Sequence, residues 1–409
     1  MSHRRTVLAA AGLALASPGV RRWLWARLLG LPPARYGVRA SRDIAVPMPD
    51  GARLMTDHYA PSAPGAFPTI LIRTPYGKWT EAGLFGLVWG AFSRLLAARG
   101  YHVVIQLTRG RYTSGGTFDP LADEAADGMA TLEWLKAQPW FNGSLGTWGA
   151  SYLGYVQWAI AADAQPLLKA MVPIVTGAQL GSLTHPDGAF GLDTLLAWTA
   201  ITELQGGDTR RSPSWRESIA GPDAAQRLVE QAFQHLPLAE ADQRALGRTV
   251  TFYQDWLQHT DLRGPYWQQR DHTAHVADVA APAHFISGWY DLIQRELLAD
   301  YEALRRAGRA PYLTIGPWAH TSPQLVLASL REGLRWFDWH MKGAAPPARR
   351  PVRLFFIGAN VWREFGSWPP PARTTAWFLQ GEAGLAPTQP GIAAPDRYRY
   401  DPADPTPAL

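Results

Sequence analysis

The sequence contains no cysteine among its 409 residues. Disulfide bonds, thiolate zinc sites and a cysteine nucleophile are therefore excluded, and any nucleophile must come from another residue type. Charge is also sparse, because charged residues make up 18% of the chain against 47% hydrophobic residues. That balance excludes a disordered tail or a coiled-coil rod and predicts a compact globular protein with a large core.

Lysine is scarce as well, at four of the 39 basic residues, and the net charge is +5. The arginines are most concentrated from Arg4 to Arg35 and form no basic stripe elsewhere, so nucleic acid is not an expected partner. The 11 histidines show no metal-ligand spacing such as H-E-x-x-H. We therefore expect neither a metal nor another cofactor.

Long apolar runs are missing too, and no stretch reaches the roughly 20 residues that span a bilayer. The run from Val7 to Ala16 follows Arg4 and Arg5, which is the layout of an export signal over residues 1–16. Basic and apolar residues at helical spacing come next, which favours an amphipathic leader over residues 1–38. We expect a cytoplasmic protein without an integral membrane span, with export as the alternative.

Beyond residue 38 the chain alternates between strand-like and helical stretches. The predicted strands cover residues 43–48, 52–59, 69–73, 102–107, 145–148, 170–175, 283–287 and 312–315, and predicted helices cover residues 85–99 and 123–138. Alternation of this kind predicts an α/β fold in which crossover helices connect the strands of a parallel sheet.

Two regions depart from this alternation. Residues 177–280 have helical periodicity without clear strands, which predicts a helical cap inserted between the two parts of the α/β body, residues 39–176 and 281–345. After a linker rich in proline, alanine and arginine, strand-like runs at 352–357 and 374–379 predict a further domain over residues 346–409.

The segment from Gly149 to Gly154 places Ser151 between a short apolar strand and a helix, which is the layout of a nucleophile elbow. Small residues before the serine let the strand and helix pass closely, and the amide of Tyr152 would face a developing oxyanion. The pattern is G-x-S-x-x-G, with its second glycine one place later than usual. A serine in an ordinary glycine-rich turn is the alternative interpretation.

A serine nucleophile needs a histidine base and a carboxylate that orients the base. In this fold type they follow in the order Ser, Asp, His. Asp291 follows the predicted strand 283–287, and His320 follows the predicted strand 312–315. The carboxyl ends of parallel strands are where sites of α/β sheets lie, so the three side chains are predicted to meet. The alternatives are a helix cap for Asp291 and a surface loop for His320.

Four of the 19 tryptophans lie near these loops or in the predicted cap. They are Trp148, Trp198, Trp289 and Trp318. They are consistent with a substrate pocket for an aromatic or bulky acyl group, and structural packing is the alternative for each of them.

With these motifs the sequence resembles the CocE/NonD family of α/β hydrolases, the group of cocaine esterase and X-prolyl dipeptidyl-peptidase. The resemblance covers about residues 40–380 and rests on six segments in the same order. They are residues 73–78, 109–116, 133–140, 149–154, 288–291 and 316–320. It implies an α/β-hydrolase fold in which Ser151 is the nucleophile, His320 the base and Asp291 its orienting carboxylate. It also implies an oxyanion hole formed by the Tyr76 hydroxyl and the Tyr152 amide.

The resemblance implies a serine esterase that cleaves carboxylic esters or activated amides of small-molecule substrates through an acyl-enzyme. An X-Pro dipeptidyl-peptidase or amino-acid ester hydrolase is the alternative, and an inactive binding protein with the same fold is the non-enzymatic one. Relatives continue into a jelly-roll β-sandwich, of which residues 346–409 would be an incomplete start. Leu107 departs from the acidic residue that relatives have there, which leaves the pairing of Arg109 open. The sequence leaves the oligomeric state open, a homo-oligomer included.

Overall fold

A ten-stranded sheet forms the centre of the protein. The structure is a computed structural model, and it describes residues 26–78, 83–206, 227–233, 235–381, 384–392 and 394–401. The strands are β1 (Val38–Pro47), β2 (Arg53–Pro61), β3 (Thr69–Thr74), β4 (His102–Leu107), β5 (Leu145–Ala150), β6 (Leu168–Ile174), β7 (His284–Tyr290), β8 (Tyr312–Ala319), β9 (Val352–Phe356) and β10 (Val361–Phe365). Their order across the sheet is β1-β2-β4-β3-β5-β6-β7-β8-β9-β10.

Most of this sheet is parallel. Neighbouring strands are parallel from β4 through β3, β5, β6, β7 and β8 to β9. At one edge, β2 pairs antiparallel with β4, and β1 pairs antiparallel with β2. All residues of β3 and β4 are buried, which explains the apolar stretches at 70–72 and 103–105 in these two strands. The mixed α/β architecture with a largely parallel sheet confirms the predicted fold class.

Helices connect these strands, and those outside the segment between β6 and β7 pack on the sheet. They are α1 (Gly83–Ala97), α2 (Glu124–Lys136), α3 (Tyr152–Ala161), α4 (Leu192–Gly206), α5 (Ala241–Leu246), α6 (Thr251–Gln258), α7 (Pro265–Gln268), α8 (Gln294–Arg306) and α9 (Pro323–Lys342). In α9, buried Leu330, Leu334 and Phe337 recur at helical spacing and join the core beneath the sheet. Burial of this stripe fixes α9 against β5, β6, β7 and β8.

The chain between β6 and β7 forms a helical cap with its own core. The described part of this stretch contains α4 to α7, a helical segment at 227–233 and short 3₁₀ turns. Side chains of α4 pack on α6 through a cluster that includes Leu196, Ala200, Tyr253 and Trp256. This apolar cluster gives the cap a hydrophobic core in addition to the one beneath the sheet.

The edge of the sheet differs from the prediction. The run at 352–357 was expected to open a separate domain, but β9 pairs parallel with β8, and Leu313 lies opposite Val352. The connection through α9 is a strand-helix-strand crossover, so β9 continues the sheet instead of leaving it. The described residues from Phe365 onward belong to a separate compact unit, in which Phe378–Leu379 and Leu385–Ala386 pair as short antiparallel strands.

Some predictions fall on residues outside the described ranges. The export signal at 1–16, most of the leader, cap residues 207–226 and tail residues 402–409 belong there. Within the described ranges, no helix combines the length and the apolar character needed to cross a bilayer.

Two histidines meet inside the sheet near its antiparallel edge. His58 on β2 and His102 on β4 are both buried, and Nε2 of His58 lies 2.9 Å from Nδ1 of His102. The ring of His58 also stacks on Trp140, with centroids 3.9 Å apart. Burial lowers the pKa of both imidazoles to about 4, and the Arg39 charge adds to this effect.

The pair therefore makes stability depend on pH. Between a pKa of about 4 when folded and the ordinary 6.5, the unfolded chain binds more protons, so acid favours unfolding. We expect the free energy of unfolding to fall as pH drops from about 6.5 toward 4, by about 3 kcal/mol for the pair. Urea titrations across this range measure it. The His58→Gln/His102→Gln variant should have a shallower slope, and an equal slope would contradict the assignment.

Candidate active site

Ser151 lies on the turn between β5 and α3 in a strained backbone conformation. Its φ is 58° and its ψ is −125°, a region that residues other than glycine rarely occupy. Its amide donates to the Ile174 carbonyl of β6 at 2.9 Å, and its carbonyl accepts from the Thr176 hydroxyl at 2.8 Å. These bonds to the neighbouring strand and its following loop hold the turn in place.

The glycines around the serine are required by close packing. A Cβ added at Gly149 would lie 2.4 Å from the Leu153 Cβ, and one added at Gly154 would lie 2.4 Å from the Thr176 side chain. Gly154 thus lets α3 pass the loop that follows β6, which is the physical reason for a glycine three places after the serine. The departure from the usual spacing is explained by this contact.

Asp291 and His320 meet at the carboxyl ends of β7 and β8. Nδ1 of His320 lies 2.6 Å from Oδ2 of Asp291, whose side chain is fully buried. The other carboxylate oxygen of Asp291 accepts from the Ile293 amide at 2.8 Å. A carboxylate on Nδ1 leaves Nε2 of the imidazole available to accept a proton.

Tyr76 follows β3 and reaches the same region. Its phenol oxygen accepts a hydrogen bond from the indole nitrogen of Trp198 at 2.8 Å, and Tyr76 lines the same cavity as Ser151. Burial raises the pKa of Tyr76, so its hydroxyl keeps its proton and can donate it. The amide of Tyr152, at the first residue of α3, is one of the N–H groups that a helix leaves without an internal partner.

One cavity of about 290 Å³ joins these groups to the cap. Tyr76, Ser151, Tyr152 and His320 lie on its wall, and Asp291 lies behind His320. The rest of the wall consists of apolar and hydroxyl residues from the cap and from the loops after β4 and β7. They are Pro120, Leu121, Leu180, Leu183, Thr184, Thr194, Leu195, Ala197, Trp198, Ile201, Trp256, Trp267, Leu292 and Ile293.

A buried polar network supports the residue after the serine. The Tyr152 hydroxyl donates to Oε1 of Glu124 at 2.7 Å and accepts from the Leu121 amide at 2.9 Å. Glu124 in turn pairs with Arg73 at 2.9 Å. Burial raises the pKa of Glu124, and the Arg73 charge opposes that rise. The network links α2 and β3 to the start of α3.

Only Trp198 among the four tryptophans predicted for the pocket lines this cavity. Trp148 packs in the core beneath the sheet against Trp89, with ring centroids 5.8 Å apart. Trp318 also packs in that core, and the Trp289 indole donates to the Phe355 carbonyl at 2.6 Å. For these three residues the pocket prediction is wrong, because side chains along a strand alternate between its two faces.

Sequence reasoning missed several pocket residues. Trp256 and Trp267 of the cap line the cavity, as do Leu292 and Ile293 directly after Asp291. Leu292 and Ile293 could have been predicted, because they directly follow the predicted catalytic carboxylate. The cap residues could not, because tertiary packing of the helices decides which of them face the sheet.

Arg109 finds partners despite the leucine at position 107. Its guanidinium forms two hydrogen bonds to Asp127, and it also pairs with Asp50. Asp127 of α2 is thus the partner of Arg109, where the leucine at position 107 had left that partner undetermined. No cluster of three or more potential metal ligands occurs in the part of the chain that the structure describes.

The sheet presents a serine on a strained turn, and a histidine bound to a buried aspartate lies on the wall of the same cavity. This arrangement defines an α/β-hydrolase of the serine hydrolase class. Comparisons with known proteins agree. The profile of X-Pro dipeptidyl-peptidase (S15 family) matches residues 50–322. The chain is 34% identical over 405 residues to cocaine esterase of Rhodococcus sp. (strain MB1 Bresler), a match that covers 90% of this chain and 68% of that protein. The chain belongs to the S15 family, and the predicted family resemblance is confirmed.

Solved structures show the same fold. An aminopeptidase from a marine sediment Thaumarchaeota archaeon superposes with a TM-score of 0.73 at 22% identity, covering 91% of this chain and 66% of that one. An α-amino acid ester hydrolase superposes with a TM-score of 0.71 at 21% identity, covering 90% of this chain and 66% of that one. The chain thus spans about two thirds of the length of these relatives.

Proposed function

We propose that the protein hydrolyses carboxylic esters with small, uncharged, apolar or aromatic acyl groups through an acyl-enzyme on Ser151. The observation that carries the proposal is the 2.6 Å bond between His320 and Asp291 at a cavity that also contains Ser151 and Tyr76. The name of the cocaine esterase relative supports ester bonds as the target.

In the proposed reaction, the Ser151 hydroxyl attacks the ester carbonyl while His320 accepts its proton at Nε2. The negative charge on the carbonyl oxygen is stabilised by the Tyr76 hydroxyl and the Tyr152 amide. His320 then protonates the leaving alcohol as the C–O bond breaks. A water molecule, deprotonated by the same imidazole, attacks the acyl-enzyme and releases the acid, which returns Ser151 to its starting state.

The cavity wall supports an uncharged acyl group. None of the described lining residues is an aspartate, glutamate, lysine or arginine. Transfer of an ammonium group into such a wall, without a carboxylate partner, costs several kcal/mol. This cost argues against the X-Pro dipeptidyl-peptidase and amino-acid ester hydrolase alternatives, which require a site for a substrate amino group.

A matched pair of substrates tests this. p-Nitrophenyl phenylacetate and p-nitrophenyl phenylglycinate differ by one ammonium group beside the carbonyl. We expect kcat/KM for the phenylacetate to be at least about 100-fold higher, since each 1.4 kcal/mol of lost transition-state stabilisation is tenfold. A faster rate on the phenylglycinate, or efficient cleavage of a Gly-Pro p-nitroanilide, would instead favour the aminopeptidase alternative.

The non-enzymatic alternative is tested separately. A fluorophosphonate reacts with a serine only when a base activates it, so stoichiometric labelling of Ser151 supports catalysis. Absence of labelling in folded protein would favour an inactive binding protein.

A further inference from the structure

We infer that Trp198, a residue of the cap, positions the Tyr76 hydroxyl so that its proton points to the oxyanion. The inference rests on the proposed function, because it assigns a device to the same oxyanion hole. Trp198 is thus a positioning residue that acts through Tyr76, in addition to lining the cavity.

The indole of Trp198 and the phenol of Tyr76 differ in their hydrogen-bond chemistry. An indole N–H can only donate, whereas a phenol both donates one hydrogen bond and accepts. Because Trp198 donates to the phenol oxygen at 2.8 Å, the phenol proton cannot lie along the same line. Tyr76 and Ser151 lie on the wall of the same cavity. With the indole occupying one side of the phenol oxygen, the Tyr76 proton is left to point into that cavity, where the reaction takes place.

The electrostatic environment favours the same role. Burial raises the pKa of Tyr76, which keeps the phenol neutral, and the hydrogen bond from Trp198 and the charge of Arg111 oppose part of that rise. A buried neutral phenol whose anion is partly stabilised is a stronger donor to a developing oxyanion. Without the indole N–H, the phenol would lose one of the two groups that stabilise its anion, and its O–H bond would no longer be held in one direction.

Trp198 itself is held firmly. Its ring lies parallel to that of Tyr152 at 6.3 Å and packs on Phe252 and Trp256 with centroids 5.7 and 5.6 Å away. The buried Arg111 joins the same cap helix to the Tyr76 loop, because its guanidinium donates to the Thr202 carbonyl of α4 at 2.8 Å and to the Pro75 carbonyl at 2.9 Å. The cap helix α4 is thus joined to the loop that carries Tyr76 at two points, through Trp198 and through Arg111.

The test is a double-mutant cycle between positions 198 and 76. Trp198→Phe keeps an aromatic ring against Tyr152 and removes the N–H. We expect it to lower kcat for p-nitrophenyl phenylacetate about tenfold. This is less than the roughly 10²–10³-fold loss in kcat on removing an oxyanion donor itself, because the Tyr76 hydroxyl remains. In the Tyr76→Phe background the same substitution should change kcat by less than about twofold, because the donor that Trp198 directs is already absent.

Trp267→Phe is the matched control. It makes the same indole-to-phenyl change on the wall of the same cavity, and the Trp267 ring packs on Tyr266, so its effect should be equal in the two backgrounds. An effect of Trp198→Phe that is also equal in both backgrounds would overturn the inference. If that variant folds poorly, benzothienylalanine at position 198 keeps the bicyclic shape and replaces the N–H by sulfur. Fluorophosphonate titration of Ser151 in each variant separates this outcome from failure of the proposed function, in which the unmodified protein would not label.

Discussion

Replacement of Ser151 by alanine is expected to lower kcat for p-nitrophenyl phenylacetate by about 10⁶-fold, since no other group could form the acyl-enzyme. The φ of 58° strains alanine and serine alike, and the backbone bonds of residue 151 do not involve its hydroxyl. The variant should therefore fold as the parent does. Steady-state kinetics measure the loss, and mass spectrometry after fluorophosphonate treatment should find no label.

Ser144→Ala provides the control for this substitution. Ser144 directly precedes β5, the strand that ends at the nucleophile turn, and lies outside the cavity wall. We expect its kcat to stay within about twofold of the parent value. If Ser151→Ala retained more than about 1% of the parent activity, the assignment of the nucleophile would be wrong.

The Asp291→Asn substitution is expected to lower kcat about 10⁴-fold. An asparagine amide can donate to Nδ1 of His320, which would place the imidazole proton on Nε2 and prevent that nitrogen from accepting the serine proton. The side-chain oxygen of asparagine can still accept from the Ile293 amide, so the loop after β7 should keep its conformation. Steady-state kinetics and the rate of fluorophosphonate labelling at Ser151 should fall together.

Asp300→Asn is the matched control for that change. Asp300 on α8 is also buried, and its carboxyl accepts from the Ala178 amide at 2.7 Å. Burial raises the pKa of Asp300 well above its ordinary value, which favours the neutral acid, and an amide is a close replacement for a carboxylic acid. We expect less than a twofold change in kcat. A loss of less than tenfold in Asp291→Asn would contradict the role of Asp291.

The sheet could be predicted because its strands are short apolar runs bounded by glycine, proline and polar residues. The run from His102 to Leu107 matches β4 residue for residue, and the positions of Asp291 and His320 followed from the ends of β7 and β8. Parallel strands bring their carboxyl ends to one edge, so strand order and direction are enough to bring the three side chains together.

The pocket could not be predicted in the same way. Trp148 lies three residues before Ser151 on β5, but its side chain packs in the core beneath the sheet. Trp256 reaches the cavity only because α6 packs on α4, which depends on contacts between distant parts of the cap. The prediction of a separate domain at 352–357 is wrong because the α9 crossover returns the chain to the sheet after the proline-rich linker, so that residues 352–356 form β9.

The position of the cap in the chain has a consequence for protein synthesis. The nucleophile strand β5 is made before the cap, whereas β7 and β8, which present Asp291 and His320, are made after it. A nascent chain that has not yet passed residue 320 can form the serine turn between β5 and α3, but it lacks the His320 base for the serine. The proposed ester hydrolysis therefore requires that β7 and β8 have joined β5 and β6 in the sheet. A newly made chain has no hydrolase activity until its sheet is nearly complete.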